Sequence, residues 1–219
     1  MIPRIFFLLT LILICTGCAG SANLGAQNTG NSPNDPSMDE EIVARHPPAL
    51  VIGSRFTYQD TDLSNGKIYK VVIIVKELKE FRRKLAYWIE VSREEKSYFD
   101  IYDMNLNWIG SFADGKELES AEPCIQVFNW PLKIGKKWNS SHTVKGYSGG
   151  AHLSHSKTGV NIRTFEEVKV PAGTFKALRI QAGEETFWYA PSIGWAVKEQ
   201  IGTQGKDGWL LELVEYSIP

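Results

Sequence analysis

The 219-residue chain is poor in the features that most often betray a function. It holds three cysteines, Cys15, Cys18 and Cys124, too few for a disulfide framework. Its longest apolar run, Ile5–Ile14, is broken only by Thr10. At about 1.5 Å per residue such a run reaches roughly 15 Å, half of a hydrocarbon core about 30 Å thick. A spanning helix is therefore not expected. Neither sign of charge prevails: 24 Lys and Arg stand against 25 Asp and Glu. Composition thus provides no strong field to draw in nucleic acid or anionic lipid, and no nucleic-acid partner is expected. No stretch sustains a helical period of apolar residues.

What is present begins with a three-part leader. Met1–Arg4 is short and carries one cation, Ile5–Ile14 is apolar, and Cys15-Thr16-Gly17 leads into Cys18. That order is a secretory signal peptide. Ile14-Cys15-Thr16-Gly17-Cys18 resembles the lipobox of bacterial lipoproteins, with Cys15 where Leu is usual. The resemblance implies cleavage after residue 17, diacylglycerol on the Cys18 thiol and a further acyl chain on its new amino group. Two or more chains make an anchor stable where one is marginal. Ala19, rather than Asp, points to an outer membrane and a domain facing the periplasm. Removing residues 1–17 takes away Arg4 and leaves 23 cations against 25 anions. Cys124 is then the one free thiol, expected to be a buried, inert small hydrophobe rather than a nucleophile.

Residues 18–49 are rich in Gly, Asn, Ser and Pro and read as the lipidated cysteine with a flexible tether, on the order of 30 Å in reach. Residues 50–219 read as one antiparallel β domain. Roughly a dozen short strands alternate with turn residues, among them Ser54–Asp60, Lys67–Leu78, Leu85–Val91, Lys137–Lys145, Gly159–Val170 and Gly208–Tyr216. The expected fold is all-β, a single curved antiparallel sheet or half-open β-barrel. Ile52-Gly53-Ser54-Arg55-Phe56 and Ile134-Gly135-Lys136-Lys137-Trp138 share Ile-Gly-x-x-aromatic, 82 residues apart. Two related halves of one sheet would explain this, and so would chance.

The most specific text lies in Pro131–Trp138, Val170-Pro171-Ala172-Gly173-Thr174-Phe175-Lys176-Ala177 and Trp188-Tyr189-Ala190-Pro191-Ser192-Ile193-Gly194-Trp195. Together these resemble a broad family of bacterial periplasmic and lipoprotein domains of unknown function that includes TapB-like proteins. The resemblance covers about residues 50–216. It implies an envelope location and a half-open antiparallel barrel of the kind seen in lipoprotein carriers, and it supplies no catalytic residues. The motifs themselves read as turns, with Pro setting φ and Gly permitting φ > 0.

Candidate chemistry is sparse. Gly146-Tyr147-Ser148-Gly149-Gly150 matches a nucleophile pattern, but no His follows His155, so a separated Ser–acid–His order fails. A hydrolase using Ser148 and His152 is the weakest reading. His142, His152 and His155, with a carboxylate such as Glu184, lack the rigid three- or four-ligand geometry of a zinc site, so no metal or cofactor is expected. Glu166-Glu167 and Glu184-Glu185 are adjacent and so point to opposite faces of a strand. Lys76, Lys79, Arg82, Arg83 and Lys84, interleaved with Glu77 and Glu80, could meet head-group phosphates, though such runs are commonly solvated hairpin ends.

Seven Trp, eight Tyr and ten Phe are the richest compositional feature. Trp88, Trp108, Trp188 and Trp195 are the candidates for lining a cavity that takes an apolar ligand. The expectation is a non-enzymatic, membrane-anchored envelope lipoprotein that binds an apolar ligand, a lipid or a protein partner. The alternative is a structural or assembly factor without a small ligand.

Overall fold

The computed structural model describes residues 42–147, 151–202 and 208–219, and Cys18 and Ser148 lie outside them. Among these residues run β1 (Ile42–Ala44), β2 (Arg55–Asp62), β3 (Ile68–Phe81), β4 (Lys84–Arg93), β5 (Lys96–Tyr102), β6 (Trp108–Ala113) and β7 (Lys116–Ile125). There follow β8 (Leu132–Lys133), β9 (Lys137–Gly146), β10 (His152–Val170), β11 (Gly173–Ala182), β12 (Glu185–Ala190), β13 (Trp195–Ile201) and β14 (Trp209–Ser217). β1 and β8 form a ribbon, and the other twelve strands close into one antiparallel barrel.

The period-2 alternation expected of half-buried strands is what builds the wall. Phe56, Tyr58 and Asp60 of β2 are buried, as are Val71, Ile73 and Val75 of β3 and Phe187 and Tyr189 of β12. The intervening positions are polar at mid-height: Gln59, Lys70, Glu90, Arg179, Lys198 and Glu212 all lie on the other face of their strands. A barrel that spans a bilayer needs the reverse, an apolar outer band. This one carries its core inside.

The sheet closes where the hydrophobic pattern predicts a half-open one. Two stretches account for the difference. β7 reads Lys-Glu-Leu-Glu-Ser-Ala-Glu-Pro-Cys-Ile, and its buried residues include Ser120 and Ala121, so no apolar alternation marks it. β10 begins at His152 rather than Gly159, in polar text, and pairs with β9 from His152↔Gly146 to Asn161↔Lys137. β9 also pairs with β7 from Glu119↔Gly146 to Glu122↔Thr143, which seals the wall. Backbone hydrogen bonding carries both seams, and side-chain pattern does not report it.

The Ile-Gly-x-x-aromatic echo is a repeated piece of structure. Gly53 and Gly135 both have positive φ, +92° and +82°. Gly53 N donates to Val75 O at 2.8 Å and Val75 N to Ser54 O at 2.9 Å. Gly135 N donates to Ile162 O and Ile162 N to Lys136 O, both at 2.9 Å. Each partner strand then bulges at the same place, between Val75 and Glu77 in β3 and between Ile162 and Thr164 in β10. Six barrel strands, β2–β7, follow the first copy, and six, β9–β14, follow the second.

The two ends of the barrel differ. The turns at 63–67, Glu94-Glu95, Asp114-Gly115 and Gly183-Glu184 lie at one end, called the mouth below. Arg82-Arg83, 103–107, 126–136, Pro171-Ala172 and Pro191–Gly194 lie at the other. Residues 42–54, part of which the composition assigns to the tether, run across this second end. β1 pairs with β8 there, Leu50 N donates to Tyr87 Oη at 3.1 Å, and Pro48 packs on Gly194.

Gly194 is one position where glycine is required. Its φ is +66°, and a Cβ there would sit 3.0 Å from Pro48 Cβ. Gly194→Ala is expected to destabilise the fold by about 1–2 kcal/mol, read as a lower urea midpoint at constant m. An unchanged midpoint would show that Pro48 does not rest on this turn.

Candidate functional site

The four candidate tryptophans do not line one cavity. Trp108 and Trp195 point into the barrel and are core, at 1% and 4% exposure. The Trp108 indole donates to Asp100 Oδ1 at 3.0 Å. Trp195 stacks on Phe56 and meets Tyr102 edge-on, both at 5.8 Å between ring centroids. Trp88 and Trp188 are half-buried on the outer wall, because each falls on the opposite parity of its strand from the buried residues Ile89 and Phe187. Trp88 packs with Phe81, Phe99 and Phe112 under Lys79, whose Nζ lies 3.8 Å from the ring. Trp188 donates to Glu166 Oε1 at 2.8 Å.

The interior is instead filled in two layers. Toward the end crossed by residues 42–54, Phe56, Tyr102, Trp195, Val197, Phe187 and Tyr189 are all buried. Toward the mouth stand Asp60, Asp100, Glu185 and Glu199, also buried. Asp60 pairs with Arg93 at 2.7 Å, yet burial still holds its carboxyl above the usual range. Asp100 accepts from Trp108 and from Ser111 Oγ. Glu185 and Glu199 meet across β12 and β13, while Oε1 of each has no hydrogen-bond partner. Burial pushes Glu185 up to about 7. Burial, then the nearby charges of Glu185, Asp60 and Asp100, pushes Glu199 up as well. Two buried carboxyls that bond each other cannot both ionise at moderate cost, so the pair retains a proton near neutrality.

Sequence reasoning passed over this layer. It judged Glu184 and Glu185 poor partners for each other, since neighbours on a strand face apart. The partner of Glu185 is fourteen positions away, and only the register Phe187↔Glu199 of β12 with β13 brings Glu199 near it. No local pattern carries that information.

A polar cleft of about 300 Å³ opens where β7 leaves β9 beyond Glu122↔Thr143. Pro123, Ser141, His142, Thr143, His155 and Lys157 line it. His142 is buried, which holds its imidazole below the ordinary value, and its Nδ1 lies 3.4 Å from Ser140 Oγ. His155 Nδ1 is 2.8 Å from Thr143 Oγ1. His152 is elsewhere, its ring lying over Gly146 where a Cβ would collide with it. Among the described residues no group of three or more His, Cys, Asp or Glu is placed to hold a metal ion. Cys124 is half-buried, and burial beside Asp103 pushes its thiol up to about 11, so it is not a thiolate at neutral pH.

No family model matches the chain. No curated protein matches it either. Solved structures do resemble it. One is a Bacteroides fragilis protein described as exported and of YmcC-like fold, at 15% identity and a TM-score of 0.47, over 80% of this chain and 99% of the other. A Parabacteroides distasonis protein described as a lipoprotein is 9% identical, with a TM-score of 0.36 over 80% and 99% of the two chains. The Escherichia coli hypothetical lipoprotein YmcC is 9% identical, with a TM-score of 0.40 over 78% and 90%.

Proposed function

We propose that the chain is a non-enzymatic envelope lipoprotein, acylated on Cys18, whose barrel serves as an interaction module rather than a carrier of a small apolar ligand. The observation that carries this reading is the filled interior. Side chains that could have lined a cavity, Trp108 and Trp195 among them, pack on one another instead. The leader through Cys18 and the Ala19 that follows support anchoring at the outer membrane, facing the periplasm. The likeness of Pro131–Trp138, Val170–Ala177 and Trp188–Trp195 to TapB-like envelope proteins fits the same location. A protein partner suits a rigid barrel whose outer wall carries half-buried aromatics such as Trp88 and Trp188 beside cations.

Native mass spectrometry of the mature protein purified from its host envelope tests this. The expected spectrum contains the acylated chain with no stoichiometric small molecule. A bound lipid surviving delipidation of the anchor would overturn the reading in favour of a carrier. An unacylated Cys18 would overturn the anchor.

A further inference from the structure

The near-zero net charge conceals a basic end that only the barrel assembles. The turns at the mouth carry both signs, Glu94, Glu95, Asp114 and Glu184 with Asp62 beside them, against Lys67, Arg93, Lys96 and Lys116. The turns at the opposite end carry Arg82, Arg83 and Lys136, flanked by Lys84, Lys133 and Lys137. Asp103 is the acidic residue in those turns, and its carboxylate is engaged by the amides of Asn105 and Asn107, both at 2.8 Å. The β3–β4 hairpin turns back from that end over the outer wall, where Phe81 is buried against Phe112 at 5.7 Å and Arg82 bonds Ser120 Oγ at 2.9 Å; Arg82 and Arg83 both have positive φ in its turn. Within it Lys79 is paired with Glu77, Lys76 with Glu90 and Arg82 with Glu117. Arg83 and Lys84 are exposed at the tip, with Glu80 opposite Leu85.

The same end exposes large apolar side chains that a soluble barrel would be expected to cover. Leu78 is 41% exposed and Leu85 56%, both on the hairpin. Val51 and Ile52 are 42% and 47% exposed. They sit between Leu50, held by Tyr87 Oη, and Gly53, held by Val75 O, so they lie beside the base of that hairpin. Met104 follows Tyr102, the cross-strand partner of Tyr87, and is exposed as well. Apolar side chains beside exposed cations are the composition of a surface that meets a membrane interface. The chain also enters the barrel here. Ile42, the first described residue, pairs with Lys133 at this end, and residues 19–41 lead back from it to Cys18.

We propose that this end of the barrel docks on an anionic bilayer, with Val51, Ile52, Leu78, Leu85 and Met104 entering the head-group region and Arg83 and Lys84 meeting lipid phosphates. The orientation this gives to the anchored protein rests on the lipidation of Cys18, but the surface itself does not. The mouth, of mixed charge, then faces away from the membrane.

The test uses the mature chain carrying Cys18→Ser, so that no acyl chain contributes, in co-sedimentation with vesicles. It is expected to bind vesicles of phosphatidylcholine containing phosphatidylglycerol and to leave pure phosphatidylcholine in solution. Raised salt is expected to release it. Each basic side chain near such a surface contributes about fivefold in partition, so Arg83→Gln with Lys84→Gln is expected to weaken binding on the order of 25-fold. Leu78→Ser with Leu85→Ser is expected to weaken it further at unchanged salt dependence. All four side chains are exposed, and an unchanged melting temperature confirms that the variants are folded. Equal binding to both lipids, no binding to either, or full binding by the folded Arg83/Lys84 variant would each overturn the proposal. So would binding only to vesicles that also contain envelope proteins, which would assign the surface to a protein partner. Acylation is read separately, by mass spectrometry of the wild-type chain, so an unmodified Cys18 would sink the anchor and leave the docking surface standing.

Discussion

Raising the pH from about 5 to about 8 is expected to lower the free energy of unfolding by roughly 3 kcal/mol, read as a falling urea midpoint. The cause is the Glu185–Glu199 pair. In the unfolded chain each carboxyl titrates near the ordinary value of 4.5. In the barrel both are held higher by burial, Glu185 to about 7. As pH rises through this window the unfolded state releases protons that the folded state retains. Stability therefore falls, by about 1.4 kcal/mol per pH unit for the one proton the pair retains, until that carboxyl ionises. Asp60, which faces the pair, is raised by burial and acts with the same sign. His142 opposes it, because its folded value is lowered and burial of the neutral ring gains stability as pH rises toward 6.5. Asp62 and Glu166 are held low by hydrogen bonds and act only under more acidic conditions. Tyr58 and Tyr102, also facing Glu199, are raised from 10 and stay neutral throughout.

Replacing Glu185 by Gln removes an ionisable group and keeps an amide that can hydrogen-bond Glu199. The variant is expected to be more stable than wild type at pH 8 and about equal at pH 5. The double variant Glu185→Gln/Glu199→Gln is expected to lose most of the slope. A wild-type slope retained in the double variant would move the effect to other residues.

The second large effect separates core from surface among the tryptophans. Trp195→Ala is expected to cost about 3–5 kcal/mol, because it removes a buried ring that stacks on Phe56 and meets Tyr102 edge-on. Trp188→Ala, on the outer wall, forfeits its hydrogen bond to Glu166 and partial burial, and is expected to cost about 1 kcal/mol. Equilibrium urea unfolding of the two variants reads this difference directly. Similar, small losses would mean that Trp195 lines a space meant for something else.

Much of the architecture is written locally. The alternation Phe56-x-Tyr58-x-Asp60 and the branched run Val71–Val75 mark strands because a pleated ribbon with one buried face demands period 2. Pro171-Ala172-Gly173 and Pro191–Gly194 mark turns because few residues adopt the backbone angles needed there. Even the Ile-Gly-x-x-aromatic echo, two copies of five residues, stands for a shared hydrogen-bond motif and a shared bulge. Closure was not legible, because β7 and the first part of β10 are held by backbone hydrogen bonds in polar text.

By itself, the sequence determined the all-β class, and it motivates the proposal of a leader ending at Cys18. These depend on composition, on short-range spacing and on the order of residues along the chain. The tertiary structure decided which tryptophans are core and which are wall, since parity is settled by which face the register turns inward. It also decided that Glu199 meets Glu185, and that a chain of nearly balanced charge has a basic end. Those are facts about residues far apart in sequence, and only the closure of the barrel sets the distances between them.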